Sequence, residues 1–321
     1  MTRVLYIGGS GEISAACVAH SVSLGHDVSV FNRGNQPIDG VRHFKGDVYK
    51  PSAYSVLADN TFDVVCQFLA FDTKTVQGDI DFFSSRCHQY IFISTASAYE
   101  KPCQHHVVTE HTPLSNPYWE YSRKKIACED LLEQQSRLPF TTVRPSHTYR
   151  CRLPGAVVDG YHQAWRLLNN KPIVVHGDGQ SIWTLTHAAD FARAFCGLFL
   201  NDKALGRAFH ITDEHSYTWD KLVLSSAKAL GLPAELVHVS SARLVHHEPM
   251  WQGPLLGDKS NSMMFDNQGL KGVIGDWQCE VGLEAGLQQA APAVLERLSK
   301  GYVPDSKLDA LIDRIVKENA F

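Results

Sequence analysis

A β-rich run, Val4 to Ile7, passes directly into Gly8-Gly9-Ser10-Gly11-Glu12-Ile13-Ser14, and a helical pattern, Ile13 to Leu24, begins at once. A strand that turns through glycines into a helix aims backbone N–H groups at whatever lies beyond the turn and keeps side chains out of its way, which suits a phosphate. Gly8 and Gly11 supply that clearance. Ser14 takes the third position of a G-x-x-G-x-x-G spacing and is small enough for helix and strand to pack closely. A plain glycine-rich turn is the other reading. The turn's position at the head of an alternating chain favours the pyrophosphate of a dinucleotide.

That alternation runs through the first half. Candidate strands are Val4 to Gly8, Val28 to Phe31, His43 to Lys45, Val64 to Phe68, Tyr90 to Ser94 and Thr141 to Arg144. Helical patterns at Ile13 to Leu24, Thr73 to Phe83 and Tyr118 to Gln135 lie between them, as in a parallel sheet with crossover helices. After Pro145 helices (Val157 to Asn169, Ala188 to Leu200, Trp219 to Leu230) mix with short strands (Ile173 to Val175, Ala208 to Thr212, Leu236 to Val239), and Leu308 to Val316 reads as a terminal amphipathic helix. The expected fold is α/β: a doubly wound parallel sheet over residues 1–150, with 176–212 partly returning to it, and a smaller α/β substrate lobe over 151–321.

Composition narrows the function classes. With 44% hydrophobic and 20% charged residues the chain is of ordinary globular type, and no run approaches the roughly 20 apolar residues of a membrane span. A net charge of -4 and no basic block longer than Arg123-Lys124-Lys125 leave no footprint for nucleic acid. The start, Met-Thr-Arg and then Val4, leaves no room for a signal peptide, so a cytoplasmic location is expected. The eight cysteines are scattered without a C-x-x-C pair, which argues for reduced thiols, no disulfide and no zinc site.

The chemistry centres on Tyr121 and Lys125, four residues apart on one helical face. A phenol, with an ordinary pKa near 10, becomes a usable base near neutrality only when its phenolate is stabilised, as an adjacent ammonium does. Thr95, at the end of a β-rich strand and 26 residues before Tyr121, could hydrogen-bond a substrate hydroxyl or carbonyl facing the tyrosine.

With these pieces in hand, the chain resembles the extended short-chain dehydrogenase/reductases, in their NAD-dependent epimerase/dehydratase branch. Further matching stretches are Phe92-Ile93-Ser94-Thr95-Ala96-Ser97-Ala98-Tyr99, Arg144-Pro145-Ser146-His147-Thr148-Tyr149, and His176-Gly177-Asp178-Gly179 followed by His187 and Asp190. The resemblance covers nearly the whole length. It implies a Rossmann domain, a C-terminal substrate lobe, and hydride transfer at a secondary alcohol carbon, commonly of a sugar. Thr95 matches the catalytic Ser/Thr, Tyr121 the acid/base and Lys125 the residue that binds the nicotinamide ribose and lowers the tyrosine pKa. The implied cofactor set is Gly8, Ser10, Gly11, Glu12, Ile13, Asn32, Arg33, Asp47, Val48, Leu69, Ala70, Tyr121, Lys125, Pro145 and His147. The implied substrate set is Thr95, Ala96, His147 and Trp183. Some relatives dimerise through the helices that correspond to Thr73–Phe83 and Ile126–Leu132.

Departures from the family pattern sharpen the expectation. Ala96-Ser97 stands where the sugar dehydratases carry Asp-Glu, so dehydration is not expected. Trp183 stands where nucleotide-sugar enzymes typically carry a diphosphate-gripping Arg, and a neutral indole cannot replace a guanidinium fork; Arg166 and Lys259 are the candidate replacement cations. The second strand ends Phe31-Asn32-Arg33 without the usual ribose-binding acid. Arg33 is therefore either a partner for the 2′-phosphate of NADP or a solvated loop cation, and the cofactor is read as NAD(P) with a lean to NADP. Asp47 could receive the adenine amino group or hold a turn. His147 stands where the family usually has Asn, contacting substrate or satisfying backbone groups.

Trp119 and Trp183 form a sugar-stacking platform or, as the weightier reading, core packing. His105, His106 and His111 lie in a loop expected to cover part of the site rather than hold a metal. Gly257-Asp258-Lys259 and Phe265-Asp266-Asn267 read as loop punctuation. The leading expectation is an NAD(P)-dependent epimerase or dehydrogenase/reductase for a carbohydrate-like small molecule. A catalytically silent NADP(H)-binding or sensing protein of the same fold is the alternative.

Overall fold

The computed structural model describes residues 1–35, 38–50 and 52–319. Seven strands form one sheet: β1 Arg3–Ile7, β2 Asp27–Asn32, β3 Arg42–Lys45, β4 Phe62–Gln67, β5 Cys87–Ile93, β6 Phe140–Pro145 and β7 Ala208–Ile211. Their order is β7-β6-β5-β4-β1-β2-β3, and every pair is parallel. Val4, Leu5, Tyr6 and Ile7 are all buried, as a strand covered on both faces requires. Strand order reverses at β1, whose Ile7 pairs with Phe31 on one side and Gln67 on the other, so a crevice opens beyond the carboxyl ends of β1 and β4.

Helices α1 Glu12–Ser23 and α5 Ala188–Gly197 cover one face of the sheet. Their approach is close because α1 offers Cys17, Val18 and Ser21 to it. The Ser21 hydroxyl bonds the Tyr6 hydroxyl at 2.6 Å and meets Cys196 Sγ at 3.3 Å. Helices α2 Thr73–Phe83 and α3 Glu120–Gln134 cover the other face, with Val76, Ile80, Phe83, Cys128 and Leu132 in its core.

In the second half, α4 Gly160–Leu168 and α6 Trp219–Ala229 pack around the parallel pair Ile173–His176 and Leu236–Val239. The pair His147–Tyr149 and Leu185–His187 joins this region to the sheet.

The helix Leu283–Ser299, 17 residues long, has no counterpart among the sequence expectations. Its sequence carries Gly286 and Pro292, residues that ordinarily disfavour a helix interior. Gly286 is needed here: a Cβ would lie 1.9 Å from the Tyr149 hydroxyl. The terminal helix runs Ser306–Asn319, longer than Leu308 to Val316, and binds α4 through Asp309 and Asp313, which pair with Arg166 and Lys171. Among the described residues no helix is long and apolar enough to cross a membrane.

Candidate active site

Two adjoining cavities lie beyond the carboxyl ends of the strands. The larger, about 760 Å³, is lined by Gly8, Ser10, Gly11, Glu12 and Ile13 from the glycine turn, and by Asn32 and Arg33 after β2. Asp47 and Val48 after β3, Leu69 after β4, and Tyr121, Lys125 and Pro145 also line it, which leaves Ala70 and His147 of the expected set outside. Gly9, Tyr49, Phe68, Phe71 and Thr148 line it as well and were not anticipated.

Backbone conformation decides which glycines the turn needs. Gly8 and Gly9 have φ of +117° and +99°, and a Cβ on Gly9 would stand 2.9 Å from Val30 Cγ1. Gly11, expected to supply clearance, has an ordinary extended conformation as the α1 N-cap, and its N–H donates to Ser14 Oγ at 2.9 Å. Ser14 therefore caps the helix as well as fitting the narrow space between helix and strand. Gly9→Ala is expected to cost about 1–3 kcal/mol in urea unfolding; an unchanged midpoint would show that the turn relaxes at no cost.

Glu12 has a second task. Its carboxylate accepts the N–H groups of Arg150 and Cys151 at 3.1 and 2.8 Å, tying the helix start to the segment that follows His147–Tyr149. Asn32 braces the turn by donating to Gly8 O at 3.3 Å and accepting Gly34 N–H at 2.7 Å. Asp47 caps its own turn through Tyr49 N–H at 3.1 Å, and the Tyr49 hydroxyl crosses to Leu69 O at 2.7 Å. Arg33 is exposed at the cavity edge.

The smaller cavity, about 280 Å³, is lined by Thr95, Ala96, Ser97, Trp119, Tyr121, Pro145, Ser146, His147, Trp183, Asp258, Met263 and Phe265. Tyr121 and Pro145 belong to both cavities. All four expected substrate residues lie here. Two residues of the expected cofactor set do not line the larger cavity. His147 lines only the smaller cavity, because its strand carries it past Pro145 toward Trp219. Ala70 is fully buried and lines neither cavity; its carbonyl accepts the Lys125 ammonium at 2.8 Å.

Lys125 is buried between the Phe71 and Phe92 rings and also donates to Ile93 O at 2.6 Å. Burial pulls its pKa down to about 8, so the ammonium persists at neutral pH on two carbonyls. Burial raises the Tyr121 pKa, the neighbouring Thr95 hydroxyl pulls it back, and the Asp258 carboxylate raises it again, for a net rise. In this arrangement Tyr121 carries its proton at neutral pH. Thr95 also accepts Ser97 N–H at 3.2 Å, and Ser97 Oγ meets Ser122 Oγ at 2.7 Å, so the threonine is held from α3 as well.

Asp258, read in the sequence as loop punctuation, faces the smaller cavity, and burial pushes its carboxyl up to about 6. Burial and then Lys259 pull His147 down to about 3, leaving a neutral imidazole. Trp119 packs on Tyr121 with ring centroids 5.0 Å apart, and Trp183 on Trp219 at 5.5 Å.

Neither candidate replacement cation faces this cavity. Arg166 is buried against Asp309, Asp313 and Pro172 O, and Lys259 Nζ is bound to Gly155 O at 2.6 Å. His105, His106 and His111 line neither cavity. Their loop nonetheless reaches its wall, because Val107–Val108 pairs with Met264–Phe265.

A doubly wound sheet with a strand–glycine–helix cradle at its switch point, and a Tyr/Lys helix beside it, defines a dinucleotide-binding α/β protein. The chain belongs to the NAD dependent epimerase/dehydratase family, which it matches over residues 4–211. It is 27% identical to 2'-dehydrokanamycin reductase of Streptomyces kanamyceticus over 329 residues, 98% of this chain and 89% of that protein. It is 29% identical over 259 residues to chloroplast stem-loop binding protein of 41 kDa b of Arabidopsis thaliana, covering 74% of this chain and 65% of that longer protein. Among solved structures, UDP-glucuronic acid 4-epimerase from Bacillus cereus, in complex with UDP-glucuronic acid and NAD, superposes with a TM-score of 0.73 at 17% identity. That superposition covers 92% of this chain and 99% of the epimerase. The family and the Streptomyces relative support an NAD(P)-dependent oxidoreductase or epimerase.

Proposed function

We propose that the chain catalyses hydride transfer at a secondary alcohol or ketone carbon of a sugar-like substrate, with Tyr121 as the proton donor and acceptor. The observation that carries this reading is the position of Tyr121, the one hydroxyl-bearing side chain shared by the two cavities among the described residues. The larger cavity fits a dinucleotide. The glycine turn opens it, a Cβ at Gly9 would crowd the turn, and the start of α1 favours an anion. A nicotinamide cofactor held there supplies the hydride or removes it.

The chain's own residues then have distinct tasks. Thr95 and Tyr121 hold the substrate oxygen between their hydroxyls. Lys125, fixed on two carbonyls from beneath, keeps a positive charge at the floor of the larger cavity. A protonated Tyr121 is ready to donate to the alkoxide that forms as a ketone is reduced, whereas oxidation requires its proton to leave first. Reduction is also the direction for which the Streptomyces relative is named. Ala96 and Ser97, where a dehydratase would place its acids, argue against elimination. The stem-loop binding named for the plant relative is not assigned to this chain, whose net charge of -4 offers phosphate backbones no attraction.

The test is mass spectrometry of the nucleotide released on denaturation, followed by titration of NAD and NADP into the emptied protein. An empty protein that exchanges cofactor fits a reductase, while one tightly retained NAD per chain fits an epimerase. The exposed Arg33 is assigned to a 2′-phosphate, so Arg33→Ala should weaken NADP about tenfold and leave NAD nearly unchanged. Equal weakening of both, or of neither, would remove Arg33 from cofactor selection.

A further inference from the structure

The wall of the smaller cavity contains an unusual stretch of backbone. The short helix Gln252–Pro254 widens into a π-helical turn, Leu255–Lys259, in which Ser260 N–H reaches back to Leu255 O at 2.9 Å. Such turns bulge one residue out of an otherwise regular helix and are frequent at functional sites.

This turn is fixed from several directions. The Asn116 amide donates to Ser97 O and Gly257 O, both at 2.7 Å, so one side chain joins the Thr95 segment to the turn. Lys259 Nζ donates to Gly155 O, and Ser181 Oγ donates to Lys259 O at 3.0 Å. Gly253 lies against the Trp119 ring, where a Cβ would come within 2.3 Å of Cδ1.

The residue that this construction delivers to the cavity is Asp258. Among the described residues no N–H or O–H group donates to its carboxylate. The two lysines that act on it from a distance, Lys101 and Lys259, have both committed their ammonium groups to backbone carbonyls. A fixed carboxylate that faces a cavity without a protein donor is left to accept hydrogen bonds from whatever fills the cavity. Trp183 lines the same wall and its indole Nε1, buried, has no acceptor among the described residues. The cavity thus offers an acceptor (Asp258), a neutral imidazole (His147) and the aromatic surfaces of Trp119, Trp183, Tyr121 and Phe265. Among the lining residues the one formal charge is negative. A diphosphate would meet that carboxylate with no cation among the lining residues to offset it. The volume of about 280 Å³ falls just below the range, roughly 300–1,000 Å³, typical of small-molecule sites, which suits a compact ligand.

We infer that the smaller cavity takes a compact sugar not linked to a nucleotide, with ring hydroxyls donating to Asp258 and the tryptophans covering its C–H face. This rests on the functional reading above, which it deepens by naming the substrate class and the residue that selects it.

Binding is read from tryptophan fluorescence and calorimetry on the full chain loaded with NAD or NADP. The probes are the methyl glucoside, galactoside and mannoside, each compared with the UDP-linked form of the same sugar. At least one methyl glycoside is expected to bind, with its UDP-linked form at least tenfold weaker. Asp258→Ala should weaken that glycoside about 10- to 100-fold, with Asp258→Asn intermediate and cofactor affinity unchanged. The inference is overturned if no methyl glycoside binds, if the UDP-linked form binds as well or better, or if Asp258→Ala binds the glycoside like the parent. The two readings fail separately. Glycoside binding without any hydride transfer in either direction would sink the functional reading alone, whereas turnover confined to the UDP-sugars would sink this inference and leave that reading standing.

Discussion

Tyr121→Phe is expected to lower turnover by about 10²–10⁴-fold, the usual contribution of a positioned acid or base, while cofactor affinity stays within a factor of about two. The ring is retained, so its packing against Trp119 and Phe71 persists and only the hydroxyl of the residue shared between the cavities is lost. Steady-state assays beside a cofactor titration make the comparison. Undiminished turnover would sink the proposed mechanism. No turnover in either protein, despite normal cofactor binding, would favour a silent cofactor-binding protein of this fold.

The largest effect on stability is expected from Glu129→Ala. Glu129 and Arg144 form a buried ion pair, with Arg144 Nη2 at 2.6 Å and Nε at 3.0 Å from Glu129 Oε2, and the Ser94 hydroxyl donates to the same carboxylate. Arg144 also reaches the Tyr99 hydroxyl and Glu110 O, both at 3.2 Å. Removing the acid strands a guanidinium in the core at a cost of about 3–5 kcal/mol, to be read from urea unfolding followed by tryptophan fluorescence. Replacing both partners, as Glu129→Leu with Arg144→Met, should be less damaging than the single change, because no uncompensated charge is then buried. A single-variant loss below about 1 kcal/mol would show that water reaches the orphaned arginine.

The sheet and the larger cavity were largely legible in the sequence because their signals are local. Each β-rich run sits beside its own turn and helix, so Val4 to Ile7 with its glycines, the end of β2 at Asn32-Arg33, and the Tyr121/Lys125 pair could be placed from short stretches. Backbone contributions were harder to see. Ala70 acts through its carbonyl, which every residue possesses, so a resemblance placed it against the cofactor when its observed partner is Lys125. The far wall of the smaller cavity was illegible for another reason. Asp258, Met263 and Phe265 arrive through the Asn116–Gly257 bond and the pairing of Val107–Val108 with Met264–Phe265. Both contacts join stretches remote in sequence, and a π turn leaves no hydrophobic period to detect. Leu283–Ser299 went unread because Gly286 and Pro292 mask a helix that packing against Tyr149 and its neighbours sustains.

The Glu12 carboxylate joins the first helix to Arg150 and Cys151, well over a hundred residues away in the chain. Each partner is a main-chain amide, so side-chain changes at 150 and 151 leave the clasp intact, while a residue inserted there, or a proline at either position, would break it. This clasp therefore constrains the length of the crossover after His147–Tyr149 more than the side chains at 150 and 151. Anyone transplanting a substrate segment from another enzyme onto this scaffold would have to preserve its spacing from the helix start before choosing a single side chain.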